Sequence, residues 1–481
     1  MRQRVKISGK KQIARYVAGD WLATSLAWLA FNVIRFTDVV EPANGAPDLT
    51  LGAFLMIPPV ILGQILFPIG MLGVYYLSGY YNRPFFKSRI EEFVTTFTTA
   101  AIGSLIIYFI AIIDDPIPDR ASNYELLAML FGLLFSLVYI TRLSITAFAT
   151  NMVHSGVLVF PTVIVGTGPD AVALYNRLTY PRKRPTGYKV VGFASFPGVA
   201  APKTLEGLPV VPLSNISEEL SRLGASHIAL TAHPDGLDAT LQTIHSLFGL
   251  GSPVLISPNL FNLLTPKRRL SDVAGEPLTD ITVPSVGQST LNLKRAGDVL
   301  VSSLALIALL PVFAAVAIAI KLDSKGTVFY RQERVGYQKR PFRILKFRTM
   351  RSDAESKGPR LSSGNDPRIT PVGRFLRKYR IDEFPQFWNV LKGDMSIVGP
   401  RPEREYFIRQ ILPKAPYYAL VHQVRPGITS WGMVKHGYAS SVDEMVSRLQ
   451  YDLIYLDNIS FLVDLKILFY TINTVVTGKG V

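Results

Sequence analysis

Cysteine is absent from the 481 residues of the sequence. This absence excludes disulfides, zinc sites with thiolate ligands, iron–sulfur clusters and a cysteine nucleophile. Charged residues are also scarce: they make up 18% of the chain, against about 25% in ordinary soluble domains. Apolar residues make up 48%, which excludes global disorder and argues against a plain cytosolic enzyme. The length corresponds to roughly three folding units.

Long apolar runs dominate the first 150 residues. They cover residues 13–33, a stretch within 51–77, residues 93–113 and residues 126–148. Each run is long enough to cross about 30 Å of hydrocarbon as a helix. Such runs in succession, with few internal charges, favour membrane spans over the core helices of a soluble bundle. We therefore predict a basic tail over residues 1–11 and a four-helix transmembrane domain over residues 12–150.

The segments that flank these runs alternate in charge. The tail and the second connection are basic, whereas the first and third connections are acidic. The basic residues are Arg2, Arg4, Lys6, Lys10, Lys11, Arg83, Lys87 and Arg89, and the acidic ones are Asp38, Glu41, Asp48, Asp114, Asp115 and Asp119. Because Lys and Arg accumulate on the cytoplasmic side, this alternation predicts that both ends of the bundle face the cytoplasm. All later domains should then be cytoplasmic.

Residues 155–285 have the pattern of an α/β domain. Short β-rich runs at 162–165, 189–194, 227–231 and 253–257 alternate with helical or turn segments, which predicts a Rossmann-like domain with a parallel sheet. The string Gly-x-Gly-x-x-Ala at 166–171 is typical of dinucleotide sites. The following strand lacks the acidic residue that would bind a ribose, so a structural glycine turn is favoured and a nucleotide site stays open. We interpret the basic cluster at 182–184 as a solvated or lipid-facing loop.

A fifth apolar run covers residues 299–320 and has basic residues on both flanks. A simple crossing would move a strongly basic C-terminal third to the outside, against the positive-inside tendency. Pro311 removes a helical hydrogen bond near the middle of the run and predicts a break there. We therefore favour a re-entrant helix over 299–320 that turns at Leu310-Pro311, with a fifth crossing as the alternative. Residues 461–476 have the spacing of an interfacial helix.

A basic field follows this run. Residues 331–380 contain 15 Lys and Arg against four acids, a balance that suits anionic headgroups or phosphates. Nucleic acid is disfavoured because aromatic residues are not interleaved as stacking platforms. Asp382 and Glu383 lie directly after this field. Asp382 could simply cap a helix, or the pair could act on a diphosphate held by a helix N-terminus with Arg377 and Arg380.

In the second interpretation, one carboxylate attacks phosphorus while the other holds a divalent cation. Spacing alone does not decide between a helix cap and a catalytic pair. Farther on, Arg401 lies between two prolines, which suits either a rigid phosphate clamp or an ordinary turn.

Separate strings in the last 200 residues together resemble the bacterial sugar transferase family, the monotopic phosphoglycosyl transferases that begin glycan assembly on a polyprenyl phosphate. The strings, in order, are KR and D at 294, 295 and 298, YRQERVG at 330–336, FRILKFRTM at 342–350, DPRIT at 366–370, IDEFPQ at 381–386, KGDMS at 392–396 and VGPRP at 398–402. The segments before residue 286 are similar in architecture to the larger members, the undecaprenyl-phosphate hexose (glucose or galactose) phosphotransferases of exopolysaccharide and O-antigen synthesis.

The resemblance implies a phosphoglycosyl transferase catalytic domain over 286–481. Asp382 would be the nucleophile that takes a sugar phosphate from a UDP-sugar and releases UMP, before undecaprenyl phosphate accepts the group. Glu383 would be its partner, and both carboxylates would bind Mg²⁺. The phosphate-binding residues would be Arg377, Arg401, Lys346 and Arg348. The resemblance further implies the bacterial cytoplasmic (inner) membrane, contact with its lipids and a homodimer, but it does not identify the sugar or the polysaccharide.

Two other classes of function suit parts of the sequence. A membrane-anchored nucleotide-sugar dehydratase would suit the glycine string, but such enzymes need a Tyr-x-x-x-Lys pair, and no tyrosine in the sequence has lysine four residues on. A non-enzymatic scaffold for polysaccharide assembly would suit the bundle, but it would leave the Asp-Glu pair in its basic field without a purpose.

Overall fold

A computed structural model describes residues 9–40, 50–82, 84–85, 87, 89–112, 120–181, 185–257, 278–351, 354, 358, 366–437 and 439–476. Several residues used in the orientation argument, including Arg2, Arg83 and the acids of the third connection, lie outside the described residues, as does the basic cluster at 182–184. The six proposed site residues are all within them.

The N-terminal bundle consists of α1 (Gly9–Arg35), α2 (Leu51–Leu55), α3 (Pro58–Leu77), α4 (Arg89–Ile107) and α5 (Arg120–His154). Short π-helical turns, Phe36–Val40 and Tyr108–Ile112, extend α1 and α4. Within the described ranges, four helices are long and apolar enough to cross a membrane: Gly9–Asp38, Pro58–Leu77, Arg89–Ile110 and Tyr124–His154. They confirm that the four predicted runs form helices that could cross a membrane. Helix α1 packs against α3 and α5, and α4 packs against α5.

A buried ion pair joins α1 to α5 inside the bundle. The Arg142 Nε and Nη2 donate to the two carboxylate oxygens of Asp20, each over 2.8 Å. The Tyr81 hydroxyl donates to Asp20 Oδ2, and Arg142 Nη1 donates to Thr96 Oγ1. Both charged side chains are at most 1% exposed. In hydrocarbon such groups are tolerated only when they are paired and hydrogen-bonded, as these are.

The second domain contains a seven-stranded sheet in the order β3-β4-β2-β1-β5-β6-β7. The five central strands, β4, β2, β1, β5 and β6, run parallel, and the two edge strands pair antiparallel. All four predicted strands are present. The strands are β1 (Phe160–Val165), β2 (Tyr188–Ser195), β3 (Thr204–Leu205), β4 (Leu208–Pro212), β5 (His227–Leu230), β6 (Val254–Ile256) and β7 (Thr279–Asp280), and the helices are α6 (Pro169–Thr179), α7 (Ile216–Leu223) and α8 (Leu237–Phe248).

The glycine string lies between β1 and α6. Gly166 has φ +125°, and a Cβ there would overlap Thr231 Oγ1. Glycine is therefore required at this position by backbone conformation and by packing against Thr231, which directly follows β5. Gly168 directly precedes α6 and has open space where a side chain would lie. Packing thus explains the first glycine, and nucleotide binding stays a prediction.

The C-terminal domain combines a helix pair, two small sheets and several helices. Strands β8 and β9 pair antiparallel, and β10 and β11 pair parallel. The elements are α9 (Gln288–Ala308), α10 (Leu310–Asp323), β8 (Phe329–Val335), β9 (Pro341–Phe347), α11 (Pro371–Lys378), α12 (Gln386–Lys392), β10 (Ser396–Val398), α13 (Glu405–Ile411), β11 (Gly427–Thr429), α14 (Trp431–Lys435), α15 (Val442–Asp457) and α16 (Phe461–Val476).

The fifth apolar run is broken where Pro311 predicts it. Helices α9 and α10 meet at Leu309 with a bend of 60°. The pair exposes large apolar side chains, including Leu300, Leu304 and Ile307, and α16 likewise exposes Phe461. These faces suit contact with lipid. A bend of this size is compatible with a broken span or a re-entrant loop, so re-entry stays a prediction.

The three units contact one another. The Asn292 side chain on α9 donates to the Tyr76 carbonyl at the end of α3 over 2.6 Å. Helix α8 of the sheet domain packs against a 3-10 helix of the C-terminal domain, Pro416–Gln423, where the rings of His245 and His422 lie 5.3 Å apart. The C-terminal domain is therefore attached to both the bundle and the sheet domain.

Candidate active site

The Asp-Glu pair lies on a 3-10 turn between α11 and α12. Thr370 caps α11 by accepting a hydrogen bond from Gly373 N. After α11, Arg380 adopts a left-handed conformation (φ +54°), which turns the chain directly into the 3-10 turn Ile381–Glu383. This turn buries Asp382 and Glu383, which are 7% and 3% exposed. The two carboxylates therefore lie inside the domain and not on its solvated surface.

The interpretation of Asp382 as a helix cap is wrong. Phe384 and Pro385 already have helical φ and ψ values, and α12 begins only at Gln386 with no side-chain cap. Because the backbone is helical on both sides of Asp382, its carboxylate is not placed over free N–H groups in the way a cap is. The capping explanation for this carboxylate is thereby removed.

Glu383 is held by two cations from other elements. Lys346 on β9 donates to Glu383 Oε1 over 2.8 Å, and Arg401, which follows β10, donates to the same oxygen over 2.9 Å. Burial by itself raises the pKa of Glu383, but the adjacent Arg401 and Lys346 charges outweigh it and hold this pKa well below its usual range. Glu383 is therefore an anion with a fixed orientation.

Asp382 differs from its neighbour. No described residue hydrogen-bonds to its carboxylate. Burial, with the Glu383 charge adding to it, raises the pKa of Asp382 to about 6, while the charges of Lys346, Arg377 and Arg401 act in the opposite direction. A carboxylate that has no hydrogen-bond partner in the described part of the chain and lies beside several cations is suited, in its ionised form, to nucleophilic attack on a phosphorus atom.

The structure brings together Lys346, Arg377 and Arg401 at the Asp-Glu pair, whereas Arg348 has other partners. The Arg377 Nε donates to Thr349 Oγ1 over 2.9 Å, and the guanidinium is near enough to act on the Asp382 charge. Arg348 instead donates to the carbonyls of Ser324 and Lys325 at the end of α10. Arg348 lies just past the end of β9 and binds the end of the bent helix pair, and its role at the phosphate site stays a prediction.

The sequence did not indicate which residues hold the segment that carries Arg401 in place. Glu403, two residues on, is buried and accepts hydrogen bonds from Arg448 on α15 and from Arg334 on β8. Arg334 also donates to the Pro402 carbonyl. These bonds fix the segment that carries Arg401. The sequence signal was weak, because Glu403 adjoins the Gly-Pro-Arg-Pro string but its partners are distant in the chain.

Replacing Arg401 with lysine is expected to lower kcat/KM roughly 10- to 100-fold. The single ammonium of lysine cannot contact Glu383 and a phosphate together as the planar guanidinium can. Arg409→Lys is the matched control, because this arginine lies on α13 with 76% of its side chain exposed. Release of UMP from a UDP-sugar, the reaction that the resemblance implies, measures the activity of both variants. Equal activity of Arg401→Lys and the parent would exclude a phosphate clamp.

The oxygen ligands of the site suit a hard cation. Among the described residues no group of three or more His, Asp and Glu side chains is arranged to hold a metal. Mg²⁺, however, is commonly held by one or two carboxylates together with substrate phosphates. Asp382 and the second oxygen of Glu383 fit that pattern.

Comparison with known proteins identifies the family. Residues 289–478 match the family model described as bacterial sugar transferase. A UDP-glucose:undecaprenyl-phosphate glucose-1-phosphate transferase from Xanthomonas campestris pv. campestris is 30% identical over 355 residues, which cover 72% of this chain and 73% of the relative. This chain belongs to the bacterial sugar transferase family.

Two relatives match more strongly over shorter segments. A UDP-N-acetylgalactosamine-undecaprenyl-phosphate N-acetylgalactosaminephosphotransferase from Aeromonas hydrophila is 45% identical and covers 39% of this chain and 44% of its own. A UDP-glucose:undecaprenyl-phosphate glucose-1-phosphate transferase from Escherichia coli (strain K12) is 38% identical and covers 48% and 50%. The chain thus spans about half the length of these two relatives, and the sugar in their names differs.

Proposed function

We propose that this protein transfers a sugar 1-phosphate from a UDP-sugar to undecaprenyl phosphate and releases UMP. The observation that carries the proposal is the contrast within the pair: Glu383 is bound by Lys346 and Arg401, whereas Asp382 is buried beside the same cations and has no hydrogen-bond partner among the described residues. The names of the family relatives support these substrates. The reaction would be the first membrane step in the synthesis of an exopolysaccharide, capsule or O-antigen.

The proposed mechanism is a double displacement. An Asp382 oxygen attacks the phosphorus that carries the sugar, the bond from this phosphorus to the oxygen of the UMP phosphate breaks, and UMP leaves. An oxygen of undecaprenyl phosphate then attacks the same phosphorus and frees Asp382. Arg377 and Arg401 would stabilise charge on the phosphoryl oxygens. Lys346 donates to Glu383 and so fixes the orientation of that carboxylate.

Mg²⁺ is proposed as the cofactor, held by Asp382, Glu383 and the substrate phosphates. When bound, the cation would neutralise charge on the diphosphate and favour UMP as a leaving group. Both carboxylates are hard oxygen ligands, which supports magnesium over a softer metal.

The most direct test of the proposed function is a panel of UDP-sugars read out as UMP. UDP-glucose, UDP-galactose and UDP-N-acetylgalactosamine would each be supplied with undecaprenyl phosphate and Mg²⁺. Release of UMP with at least one sugar, together with a lipid-linked product, is expected. Absence of UMP release with every sugar tested would contradict the proposal.

We also propose a location and assembly for the protein. Both soluble domains face the cytoplasm of the inner membrane and contact its lipids, the sheet domain is Rossmann-like, and two copies form a homodimer.

The parallel strands follow the order β4-β2-β1-β5-β6. This is the order of doubly wound nucleotide-binding sheets, which supports the Rossmann-like assignment. The basic flanks of 299–320 support a re-entrant helix, since it keeps the basic C-terminal third inside.

Single cysteines can test re-entry in this cysteine-free chain. A Cβ added at Gly297 meets no heavy atom within 4 Å, and Lys325 is exposed just past the end of α10. Gly326 is avoided because a side chain there would overlap Arg348. In membrane vesicles, the cysteines at positions 297 and 325 are both expected to react with a membrane-impermeant thiol reagent from the same side of the membrane.

Gly52 on α2 provides the matched control for this labelling, because it lies in the connection predicted on the opposite side and has open space for a side chain. A cysteine there should react only from the other face. Labelling of Lys325→Cys from the Gly52 side would show a fifth crossing instead.

A further inference from the structure

Two charged side chains of α9, Arg295 and Asp298, have no part in the proposed mechanism. They belong to the first of the strings in the C-terminal domain and lie three residues apart, so they share one face of the helix. Asp298 is only 6% exposed. A carboxylate is rarely buried unless it is paired or hydrogen-bonded, so its partners show what it supports.

Arg295 binds the end of the helix that follows the Asp-Glu pair. Its Nη1 donates to the Val390 carbonyl over 2.6 Å, and its Nη2 donates to the Leu391 carbonyl over 2.9 Å. Both carbonyls lie in the last turn of α12, where a cation is favourable. The guanidinium therefore fixes the far end of the short helix that begins three residues after Glu383.

Asp298 binds the strand that leads to Arg401. Its Oδ2 accepts from Ser396 Oγ over 2.7 Å, and its Oδ1 accepts from Ile397 N over 3.1 Å. Both partners belong to β10, and Arg401 lies three residues after the end of this strand. The carboxylate therefore fixes the beginning of the segment that carries Arg401.

These bonds complete a closed frame around the site. Helix α12 and strand β10 are consecutive elements, joined by the turn at residues 393–395. At one end of the frame, α9 holds both elements. At the other end, Glu383 accepts from Arg401 over 2.9 Å. A displacement of either element relative to α9 would therefore change the distance between the Asp-Glu pair and Arg401.

We propose that Arg295 and Asp298 are positioning residues, which set the separation between the Asp-Glu pair and Arg401 for phosphoryl transfer. This inference rests on the proposed function. A phosphoryl group that is attacked by Asp382 and stabilised by Arg401 needs both side chains in place at once. A misplacement of about 1 Å can lower such a rate about 100-fold. Each positioning residue acts through the element that it holds.

Arg295→Met and Asp298→Asn test the proposal. The first removes both bonds to α12. The second keeps the size of the side chain and an acceptor for Ile397 N but loses the acceptor for Ser396 Oγ, so its fold should be retained. For each variant, kcat per folded chain is expected to fall roughly 10- to 100-fold. The KM for the preferred UDP-sugar should change much less, because the binding groups remain and only their alignment in the transition state is lost.

UMP release over a range of UDP-sugar concentrations measures kcat and KM, and thermal unfolding of the same preparations measures the folded fraction. Lys294→Met is the matched control. Lys294 donates to Asp464 on α16 over 2.6 Å, and the two side chains are 15% and 13% exposed. Asp464 keeps the hydrogen bond from the Tyr455 hydroxyl. This variant also removes a charged attachment of α9 and should unfold at a lower temperature. Because α16 carries neither the Asp-Glu pair nor Arg401, its kcat should stay near the parental value.

Combination with Arg401→Lys separates positioning from a general loss of structure. If Arg295 acts by placing the pair against Arg401, both substitutions affect the same contact. The double variant Arg295→Met/Arg401→Lys should then lose less activity than the product of the two single losses.

The inference is overturned if both single variants keep the parental kcat, if their losses equal that of Lys294→Met, or if the losses of Arg295→Met and Arg401→Lys multiply. Absence of UMP release by the parent is a distinct result. It would contradict the proposed function, and the inference would fail with it.

Discussion

Replacing Asp382 with asparagine is expected to reduce UMP release by roughly three orders of magnitude or more, the scale at which loss of a covalent nucleophile lowers turnover. The variant should remain folded. Burial raises the pKa of Asp382 to about 6, which means that the folded state disfavours the charged form, and a neutral amide of the same size relieves that cost. UMP release and thermal unfolding of the same preparation measure the two effects.

Glu383→Gln is the informative comparison. Its carboxylate has a lowered pKa because Arg401 and Lys346 lie against it, despite its burial. The amide would leave these two buried cations without their anion, so this variant should lose both activity and stability. Retention of near-parental turnover by Asp382→Asn would exclude Asp382 as the nucleophile.

Replacing Arg142 with methionine is expected to destabilise the bundle by about 3–5 kcal/mol, the usual cost of leaving one member of a buried ion pair without its partner. Asp20 would then be an uncompensated charge among apolar helices. Unfolding of the purified protein in detergent, followed by a bundle-specific probe, measures the loss.

Two further variants separate this effect from a general loss of charge. Asp20→Leu combined with Arg142→Met should recover much of the stability, because no charge is left unpaired. Arg222→Ala removes the partner of Glu219 on α7. Because the Arg222 side chain is 65% exposed, its loss should change stability by about 0–1 kcal/mol. A parental unfolding temperature for Arg142→Met would contradict a structural role for the pair.

Local pattern explains which parts of the fold were predictable. The spans follow from the length of the apolar runs, and the strands of the sheet domain follow from β-rich runs bounded by turns. The break at Leu309 follows from Pro311. In each case the structure depends on residues adjacent in sequence, so a single sequence contains the information.

Features that depend on distant residues were not predictable. Asp20 and Arg142 are 122 positions apart, and neither run indicates that they pair. The basic strand motif suggested one role for Lys346 and Arg348, but Lys346 donates to Glu383 whereas Arg348 donates to carbonyls at the end of α10, and these partners are distant in the chain. The Asp-Glu pair was found, but the difference between its members depends on cations from β9 and from the segment after β10.

The central claim is that Asp382 carries the sugar phosphate between two half-reactions, and intact-mass measurement of the protein tests it most directly. The protein would be mixed with UDP-sugar and Mg²⁺ in the absence of undecaprenyl phosphate, then quenched. The account predicts a rapid release of up to one UMP per active chain and a mass increase of one hexose phosphate that maps to Asp382 and is absent in Asp382→Asn. An unmodified chain, with UMP appearing only after undecaprenyl phosphate is added, would contradict it.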